Sequence, residues 1–199
     1  MSRKRRTWIE DSFYHVTSRG NRREELFRQE EDFKFFLHVM KETNRKTPFD
    51  LAAYCLMTNH FHLQIRSQQQ PLSKVMFHIN KRYADYYNNK NGLSGHVFEK
   101  RYYADHIDSP LGMLKVSRYI HLNPLEAGII QDPIEYRWSS YYDYMHSNQK
   151  RFSLLHPEFV LESFLGEERD KRKKYEEYME ADEEIKLEVP VTSRNLSNG

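Results

Sequence analysis

The sequence is poor in cysteine and contains no long apolar run. Its 199 residues include one cysteine, Cys55, so the chain cannot form an internal disulfide. Cys55 stands in an apolar stretch, where a lone cysteine is usually a small buried hydrophobe, and we expect no catalytic role for it. No stretch approaches the roughly 18 apolar residues of a membrane span, and the basic start is followed by mixed polar and aromatic residues rather than by a signal-peptide core. These absences predict a cytoplasmic protein with no membrane partner.

Charge is divided unevenly along the chain, although the net charge is only +2. Residues 1–150 hold 23 Lys and Arg against 17 Asp and Glu, whereas residues 151–199 hold 8 against 12. A basic region favours nucleic acid as a partner. Because 199 residues suffice for one sizeable core but hardly for two, we expect one catalytic domain, over residues 1–150. Over residues 151–199 we expect a charged, solvated helical tail with a disordered end.

The predicted elements follow the order β-α-β-β-α-β and then a further helix. Strands are predicted over residues 12–18, 49–57, 60–67 and 96–107, and helices over residues 30–46, from Pro71 to the glycines at 92–95, and from Ser109-Pro110 to Asn123, where Pro124 is expected to stop the helix. This order is that of the ferredoxin-like split unit. We therefore predict an α+β fold, a ferredoxin-like antiparallel sheet with helices packed on one face, plus the C-terminal helical tail.

Two histidines at the start of the third predicted strand could share a metal ion. His60 and His62 stand two residues apart, so their side chains point to the same face of a strand. Their Cα atoms would lie about 7 Å apart, a span that two imidazoles can close onto one ion. A chance pair in a chain with ten histidines is the alternative. Gln64, next on that face, could support the site or be a polar residue at a wet sheet edge.

The third predicted helix carries a tyrosine and an amide on one face. Tyr119 and Asn123 are four residues apart, so a phenol and an amide oxygen are presented together. Phenol has a pKa near 10 and is a poor nucleophile at neutral pH, so it needs a cation that stabilises its anion and polarises a phosphate. The alternative is ordinary: most of the 14 tyrosines are packing residues, and Asn before Pro commonly ends a helix.

Four stretches of the chain carry a family resemblance. They are residues 57–65 (MTNHFHLQI), 95–102 (GHVFEKRY), 118–130 (RYIHLNPLEAGII) and 138–141 (WSSY). Together they resemble the tyrosine transposases with a His-hydrophobic-His motif, and most nearly the REP-associated tyrosine transposases, over about residues 7–144. The resemblance implies an RNA-recognition-like sheet, with His60 and His62 as metal ligands, Tyr119 as the nucleophile and Asn123 as a candidate third ligand. Related insertion-sequence enzymes carry Gln where this chain has Asn123, which leaves direct and water-bridged ligation both open.

The resemblance also implies a reaction and a substrate. We expect a DNA endonuclease and ligase that works by transesterification, in which the Tyr119 oxygen attacks a phosphate of single-stranded or hairpin DNA and forms a 5'-phosphotyrosine link. Mg²⁺ or Mn²⁺ suits the expected ligands, although histidine pairs also take Zn²⁺ or Ni²⁺. The protein would act as a monomer or homodimer.

Basic residues on the second predicted helix and at the N-terminus are candidates for phosphate contacts. They are Lys74, His78 and Arg82, spaced by four, and the arm Arg3, Lys4, Arg5 and Arg6. Two other functions stay open: a non-catalytic nucleic-acid-binding module, and a metal-dependent phosphodiester hydrolase in which the two histidines activate water. Neither would form a covalent link to DNA, so a protein–DNA adduct separates them from the transposase.

Overall fold

The structure, a computed structural model, describes residues 8–181 of the chain. Its strands in that range are β1 (Phe13–Arg19), β2 (Asp50–Met57), β3 (His60–Arg66) and β4 (Tyr103–Ile107). Its helices are α1 (Glu30–Lys46), α2 (Leu72–Asn91), α3 (Pro110–Glu126), α4 (Tyr141–Met145), α5 (Glu158–Leu161) and α6 (Glu168–Glu180), with short 3₁₀ turns at Asn21–Arg23 and Pro133–Glu135. Within the described range no helix is long and apolar enough to cross a membrane.

The strands form one sheet in the order β2-β3-β1-β4, and every neighbouring pair is antiparallel. The two central strands, β3 and β1, are not adjacent in sequence, because α1 and β2 lie between them along the chain. This strand order and the β-α-β-β-α-β succession confirm the predicted ferredoxin-like α+β fold. The expected hairpin between β2 and β3 is also confirmed, since Met57 pairs with His60 across the turn at residues 58–59.

Helices α1 and α2 cover one face of the sheet. A capping box of Gln29 and Asp32 starts α1, and an αL conformation at Gly92 ends α2. The apolar stripes of both helices meet the sheet: the Phe36 ring lies 4.6 Å from Phe61 of β3 and 5.2 Å from Tyr83 of α2. The larger part of the core lies on this face.

Helix α3 lies on the opposite face, so the expectation that the helices share one face is wrong for α3. Its Ile120 packs with Ala53, Cys55 and Met57, the residues of β2 that point away from α1 and α2. The Ser109 side chain accepts a hydrogen bond from the Gly112 amide and caps the start of the helix. The sheet is therefore sandwiched between α1 and α2 on one side and α3 on the other.

Two predicted boundaries are also wrong. Helix α3 does not stop at Pro124 but continues to Glu126, because proline removes only the donor to the carbonyl four residues earlier. The amides of Ala127 and Ile129 still reach the carbonyls of Asn123 and Pro124, both at 3.0 Å. Strand β4 starts at Tyr103 rather than at residue 96, since residues 96–102 make only an isolated bridge to the sheet, between Phe98 and Gly20, and run beside α2.

The C-terminal segment up to residue 181 is part of the same core, which corrects the expectation of a solvated tail. Helix α6 buries one face, and the Tyr175 side chain is fully inaccessible to solvent. The apolar residues that precede α6 are also buried or half-buried against the core: Phe152, Leu154, Leu155, Phe159 and Phe164. The segment also covers part of the outer edge of β2, where the His156 amide donates to the Leu51 carbonyl at 2.9 Å. The expected disordered end lies outside the described residues.

Candidate active site

Strand β3 presents polar residues to one face and apolar residues to the other. His60, His62 and Gln64 point towards α3, as the alternation of a strand requires. Gln64 is fully buried on a central strand, so the alternative of a wet sheet edge is wrong for it. Its side-chain amide donates to the Met113 carbonyl of α3 at 3.0 Å, and its Oε1 atom is buried without a hydrogen-bond partner.

Strand β1 adds two residues to the histidine pair that the sequence analysis did not identify. Thr17 pairs directly with His62, and His15 is two residues further along the same face. The Nδ1 atom of His62 lies 2.9 Å from Nε2 of His15 and 3.2 Å from Oγ1 of Thr17. The His15 and His62 rings stack with centroids 5.1 Å apart. The alternation in β1 was visible in the sequence, but only the strand register shows that His15 meets His62.

The other nitrogen of His62 is left without a partner. Nε2 of His62 is buried and makes no hydrogen bond within the described residues. A neutral imidazole that donates through Nδ1, to His15 or to Thr17, carries its lone pair on Nε2. A histidine whose far nitrogen is fixed by such a partner is the usual form of a metal ligand. The geometry therefore leaves one buried acceptor atom of His62 available to a cation or to a donor group.

His60 connects the pair to α3. Its Nδ1 atom lies 2.7 Å from Oδ1 of Asn59, in the hairpin turn. The Asn123 side chain lies next to the His60 imidazole and opposes the lowering of its pKa. The rings of His60 and His62 are perpendicular, with centroids 4.9 Å apart. Thus the two histidines and the amide, which the sequence analysis assigned to one site, lie together.

Tyr119 completes this group from α3. Its ring meets His62 edge-on at a centroid distance of 5.4 Å and His15 at 5.6 Å. The residue is 44% exposed, although its neighbours Ile120 and Asn123 on the same helix are buried. A large aromatic side chain that stays open to solvent beside the buried His62 can be reached by a substrate without any rearrangement of the core.

Burial keeps the three imidazoles neutral. Desolvation lowers the pKa of His62 well below its ordinary value, and the nearby His60, His15 and Arg19 lower it further. Desolvation and then the charge of Arg19 lower the pKa of His60. The pKa of His15 is lowered by burial, which outweighs the opposing charge of Asp105. At neutral pH the imidazoles therefore carry lone pairs, the state in which histidine binds metals.

His60, His62 and Asn123 fit a divalent ion that takes only a few of its ligands from the protein. Among residues 8–181 there is no group of three or more His, Cys, Asp or Glu that could hold a metal. Two neutral imidazoles and one amide can hold an ion that keeps other positions for water or phosphate. The unpartnered Nε2 atom of His62 is the observation that favours this fit.

Helix α3 is held in place by a buried polar cluster behind Tyr119. The fully buried His121 lies between the Tyr175 hydroxyl of α6, at 2.8 Å, and the Ser140 hydroxyl, at 2.7 Å. Burial lowers the pKa of His121 to about 3, so it stays neutral. Arg118, adjacent to Tyr119, donates to the Tyr178 carbonyl at the end of α6 at 3.1 Å. The C-terminal segment therefore fixes the helix that carries Tyr119.

The structure does not bring the candidate phosphate contacts to this site. Lys74 is exposed, and His78 and Arg82 are half-buried, on α2 on the far side of the sheet from Tyr119. The arm Arg3, Lys4, Arg5 and Arg6 lies outside the described residues. Cys55 is buried beneath α3, and burial raises the pKa of its thiol, as expected for a small core residue.

Fold and residues together define a class: a ferredoxin-like domain whose sheet carries a histidine pair facing a tyrosine on a helix. The model of the family described as "Transposase IS200 like" matches residues 9–123. The chain belongs to this family, so the expectation of a transposase that acts on DNA is confirmed at this coarse level. No protein of curated function matches the chain in sequence.

Solved structures support the fold. The structure of a REP-associated tyrosine transposase bound to a REP hairpin matches with a TM-score of 0.63 and 19% identity, and the match covers 79% of this chain and 93% of that chain. The expected resemblance to this type of protein is therefore confirmed in the fold. A candidate transposase from Deinococcus radiodurans R1 matches with a TM-score of 0.42 and 13% identity over 60% of this chain and 95% of that chain, which is too distant to support an argument.

Proposed function

We propose that this transposase cuts and rejoins single-stranded or hairpin DNA with Tyr119 as its nucleophile, assisted by a divalent metal ion. The observation that carries the proposal is the group formed by an exposed tyrosine, two neutral histidines and an amide on facing elements of the fold. The similar structure of a transposase with a REP hairpin supports hairpin DNA as the partner. Both a monomer and a homodimer are compatible with the site.

The proposed cleavage step exchanges one phosphate ester for another. The Tyr119 oxygen attacks phosphorus and loses its proton to solvent, while the bond from phosphorus to the 3'-oxygen breaks and that oxygen takes up a proton. The products are a 5'-phosphotyrosine link and a free 3'-hydroxyl. In the reverse step a 3'-hydroxyl attacks the phosphotyrosine and releases Tyr119. Because the ester bond energy is retained, no ATP is required.

His60, His62 and Asn123 would hold the ion, and Mg²⁺ or Mn²⁺ is our candidate. When bound, such an ion polarises the phosphate and stabilises the anion of the attacking phenol. His15 and Thr17 fix the orientation of the His62 ring through its Nδ1 atom. Burial holds His60 and His62 in the neutral form that binding requires.

Phosphate contacts away from the reacting bond would supply most of the affinity. We propose the exposed side of α2, with Lys74, His78 and Arg82, and the N-terminal arm of Arg3, Lys4, Arg5 and Arg6 for this role. Since α2 lies on the other face of the sheet, a DNA that touches both α2 and Tyr119 must pass around an edge of the sheet. Strand β4 is the edge strand next to β1, which carries His15 and Thr17.

The mass of the intact protein tests the proposal. After incubation with hairpin-containing single-stranded DNA and Mn²⁺, we expect a species heavier by the cleaved DNA fragment. Tyr119→Phe removes one oxygen and keeps the ring, so this variant should bind DNA but form no adduct. Tyr142→Phe is the matched control, because Tyr142 lies on α4, away from the site and from β4, and its hydroxyl donates to the exposed Gln149; this variant should retain full activity. Cleavage without an adduct would indicate the hydrolase, and binding without cleavage would indicate the binding module.

A further inference from the structure

A groove of about 1070 Å³ runs between α2 and residues 95–102, away from the candidate active site. Phe77 and Asn80 of α2 form one wall, and Arg101 and the residues before it form the other. We propose that this groove binds unpaired nucleotides that flank a DNA hairpin, with a base stacked on Phe77. The proposal rests on the proposed function, because it assigns part of the same DNA substrate to a second surface.

Phe77 is the first observation that favours a base. The side chain is 58% exposed on a helix whose other apolar residues are buried or partly buried, and it does not belong to the core cluster. Its ring lies 5.4 Å from that of His78, so two aromatic rings stand side by side at the surface. Nucleic-acid bases stack on exposed aromatic rings of this kind without regard to sequence, and stacking would cover the apolar ring.

The charges of the groove favour phosphate. Lys81, Lys100 and Arg101 line it together with a single carboxylate, Glu99. Lys81 pairs with Asp85 at 2.6 Å and Lys100 with Glu99 at 3.6 Å, but such exposed pairs are weak and exchange readily for a phosphate. Arg101 is exposed and makes no ion pair with any residue between 8 and 181. Its guanidinium can therefore take a phosphate without breaking an existing contact.

Asn80 supplies an acceptor that no protein group satisfies. Its Nδ2 atom donates to the Arg101 carbonyl at 2.6 Å, which fixes the orientation of the amide. Its Oδ1 atom is then buried against the groove with no hydrogen-bond partner among the described residues. An unpaired base offers amino and imino N–H groups on its edge, and these groups could satisfy this oxygen.

The groove adjoins the end of the sheet that carries the candidate active site. Residues 97–99 are held against β1, since the Asn21 amide donates to the Val97 carbonyl at 2.8 Å and the Glu99 amide donates to the Arg19 carbonyl at 3.0 Å. Arg19 is the register partner of His60. A strand of DNA that leaves the Tyr119 face over the edge at β4 would pass residues 95–102, which directly precede β4 and form one wall of the groove. This continuity favours the substrate's own unpaired nucleotides over a separate ligand.

Binding of matched DNA probes tests the proposal without any need for cleavage. The probes are three versions of one hairpin: a blunt stem, the stem with an unpaired 5' tail, and the stem with an unpaired 3' tail. Binding of each probe is measured by fluorescence anisotropy. We expect one tail to raise the affinity, and Phe77→Ala and Arg101→Ala each to lower the affinity for that tailed probe by about tenfold. Neither variant should change binding of the blunt hairpin. Phe77→Tyr keeps a stacking ring and should restore tight binding.

Two substitutions outside the groove serve as controls for this experiment. Leu165→Ala and Arg169→Ala change exposed residues outside the groove and should bind all probes as the wild type does. A 2-aminopurine in the tail should lose fluorescence on binding to the wild type but not to Phe77→Ala. Equal weakening of blunt and tailed probes, no effect of a tail, or a change of oligomeric mass in place of affinity would overturn the groove assignment alone. If the wild type binds none of the hairpins, the proposed function fails together with it.

Discussion

The two faces of β3 differ in almost every property, although their residues alternate along seven positions of one strand. Phe61, Leu63 and Ile65 are fully buried and pack within the main core under α1 and α2. His60, His62 and Gln64 face α3, and two of their polar atoms are buried without hydrogen-bond partners. Buried polar atoms without partners cost stability. One face of β3 thus stabilises the fold, and the other tolerates destabilising groups that the proposed chemistry requires.

Removing the C-terminal segment should have the largest effect on the stability of the fold. A chain that ends at Lys150 loses a set of fully or nearly fully buried side chains: Phe152, Leu155, Val160, Leu161, Tyr175 and Met179. Each contributes about 1.5–3 kcal/mol on burial, so together they reach the whole stability of a typical domain, about 5–15 kcal/mol. We expect an insoluble product or one without a cooperative thermal transition in circular dichroism.

A chain that ends at residue 181 is the matched control, because it keeps every buried side chain of the described core. It should melt cooperatively. A soluble, cooperatively melting and active chain of residues 1–150 would show that α5 and α6 are dispensable, and the function of the C-terminal segment would then have to be sought elsewhere.

Adjacent substitutions on opposite faces of β3 should separate stability from chemistry. Phe61→Ala should lower the free energy of unfolding by about 3–5 kcal/mol, because it leaves a cavity beside Phe36. His62→Ala should change it by about 1 kcal/mol or less, since it also removes an unpartnered buried nitrogen and frees the half-exposed His15 and Thr17 to bind water. Urea titration of both variants measures this difference.

The same two variants should rank in the opposite order in DNA cleavage. At a temperature where both are folded, His62→Ala and the parallel His60→Ala should cut at least about 100-fold more slowly while they still bind hairpin DNA, because the metal serves the reaction and phosphate contacts serve affinity. Phe61→Ala should keep most of its activity there. Full activity of a histidine variant would contradict the metal assignment.

Much of the arrangement of the reactive residues on β3 and α3 could be predicted from the sequence. The alternation after His60 places both histidines on one face, and the spacing of Tyr119 and Asn123 places them together on α3. The order of elements predicts the ferredoxin-like topology, because the apolar periods change clearly from two to nearly four along the chain. Local patterns of this kind are read from a few neighbouring residues.

What could not be predicted depends on contacts between distant segments. The pairing of β1 with β3 brings His15 to His62, and a register is not visible in either strand alone. In α6 the spacing of Tyr175, Tyr178 and Met179 does indicate a buried face, but the many charged residues around them suggested a solvated helix. The groove beside Phe77 depends on how residues 95–102 pack beside α2, which no local pattern shows.

His15 offers a smaller test of how the reactive face is organised. His15→Ala should slow cleavage by about 10-fold to 100-fold through the loss of the group that orients His62, with little change in the urea midpoint. His15→Gln keeps a polar atom that can bond Nδ1 of His62 and should recover part of the rate. The apparent affinity for Mn²⁺ in the cleavage assay should fall in parallel. A lower urea midpoint with unchanged Mn²⁺ affinity would indicate a purely structural role.

The smallest effect is expected at Cys55, whose thiol should not react with a thiol reagent in the native protein. It lies on the reactive face but beneath Ile120 of α3, and burial raises the pKa of its thiol. A thiol reagent should therefore modify the native protein only as fast as it unfolds, and the denatured chain should react at once. Fast labelling of the native state would show that α3 leaves the sheet, and the fixed position inferred for Tyr119 would then be wrong.

Peptide mapping of the protein–DNA adduct tests directly whether Tyr119 is the nucleophile. Trypsin cuts after Arg118 and Arg137, so the relevant peptide begins with Tyr119 and ends with Tyr136-Arg137. This peptide contains two tyrosines, so fragmentation must show which of them carries the nucleotide. Tyr136 is buried and donates its hydroxyl hydrogen to the Leu56 carbonyl at 2.9 Å, so it is not placed to attack DNA. We expect the nucleotide on Tyr119 and no adduct in Tyr119→Phe. DNA attached to another residue, or an adduct that persists in Tyr119→Phe, would contradict it.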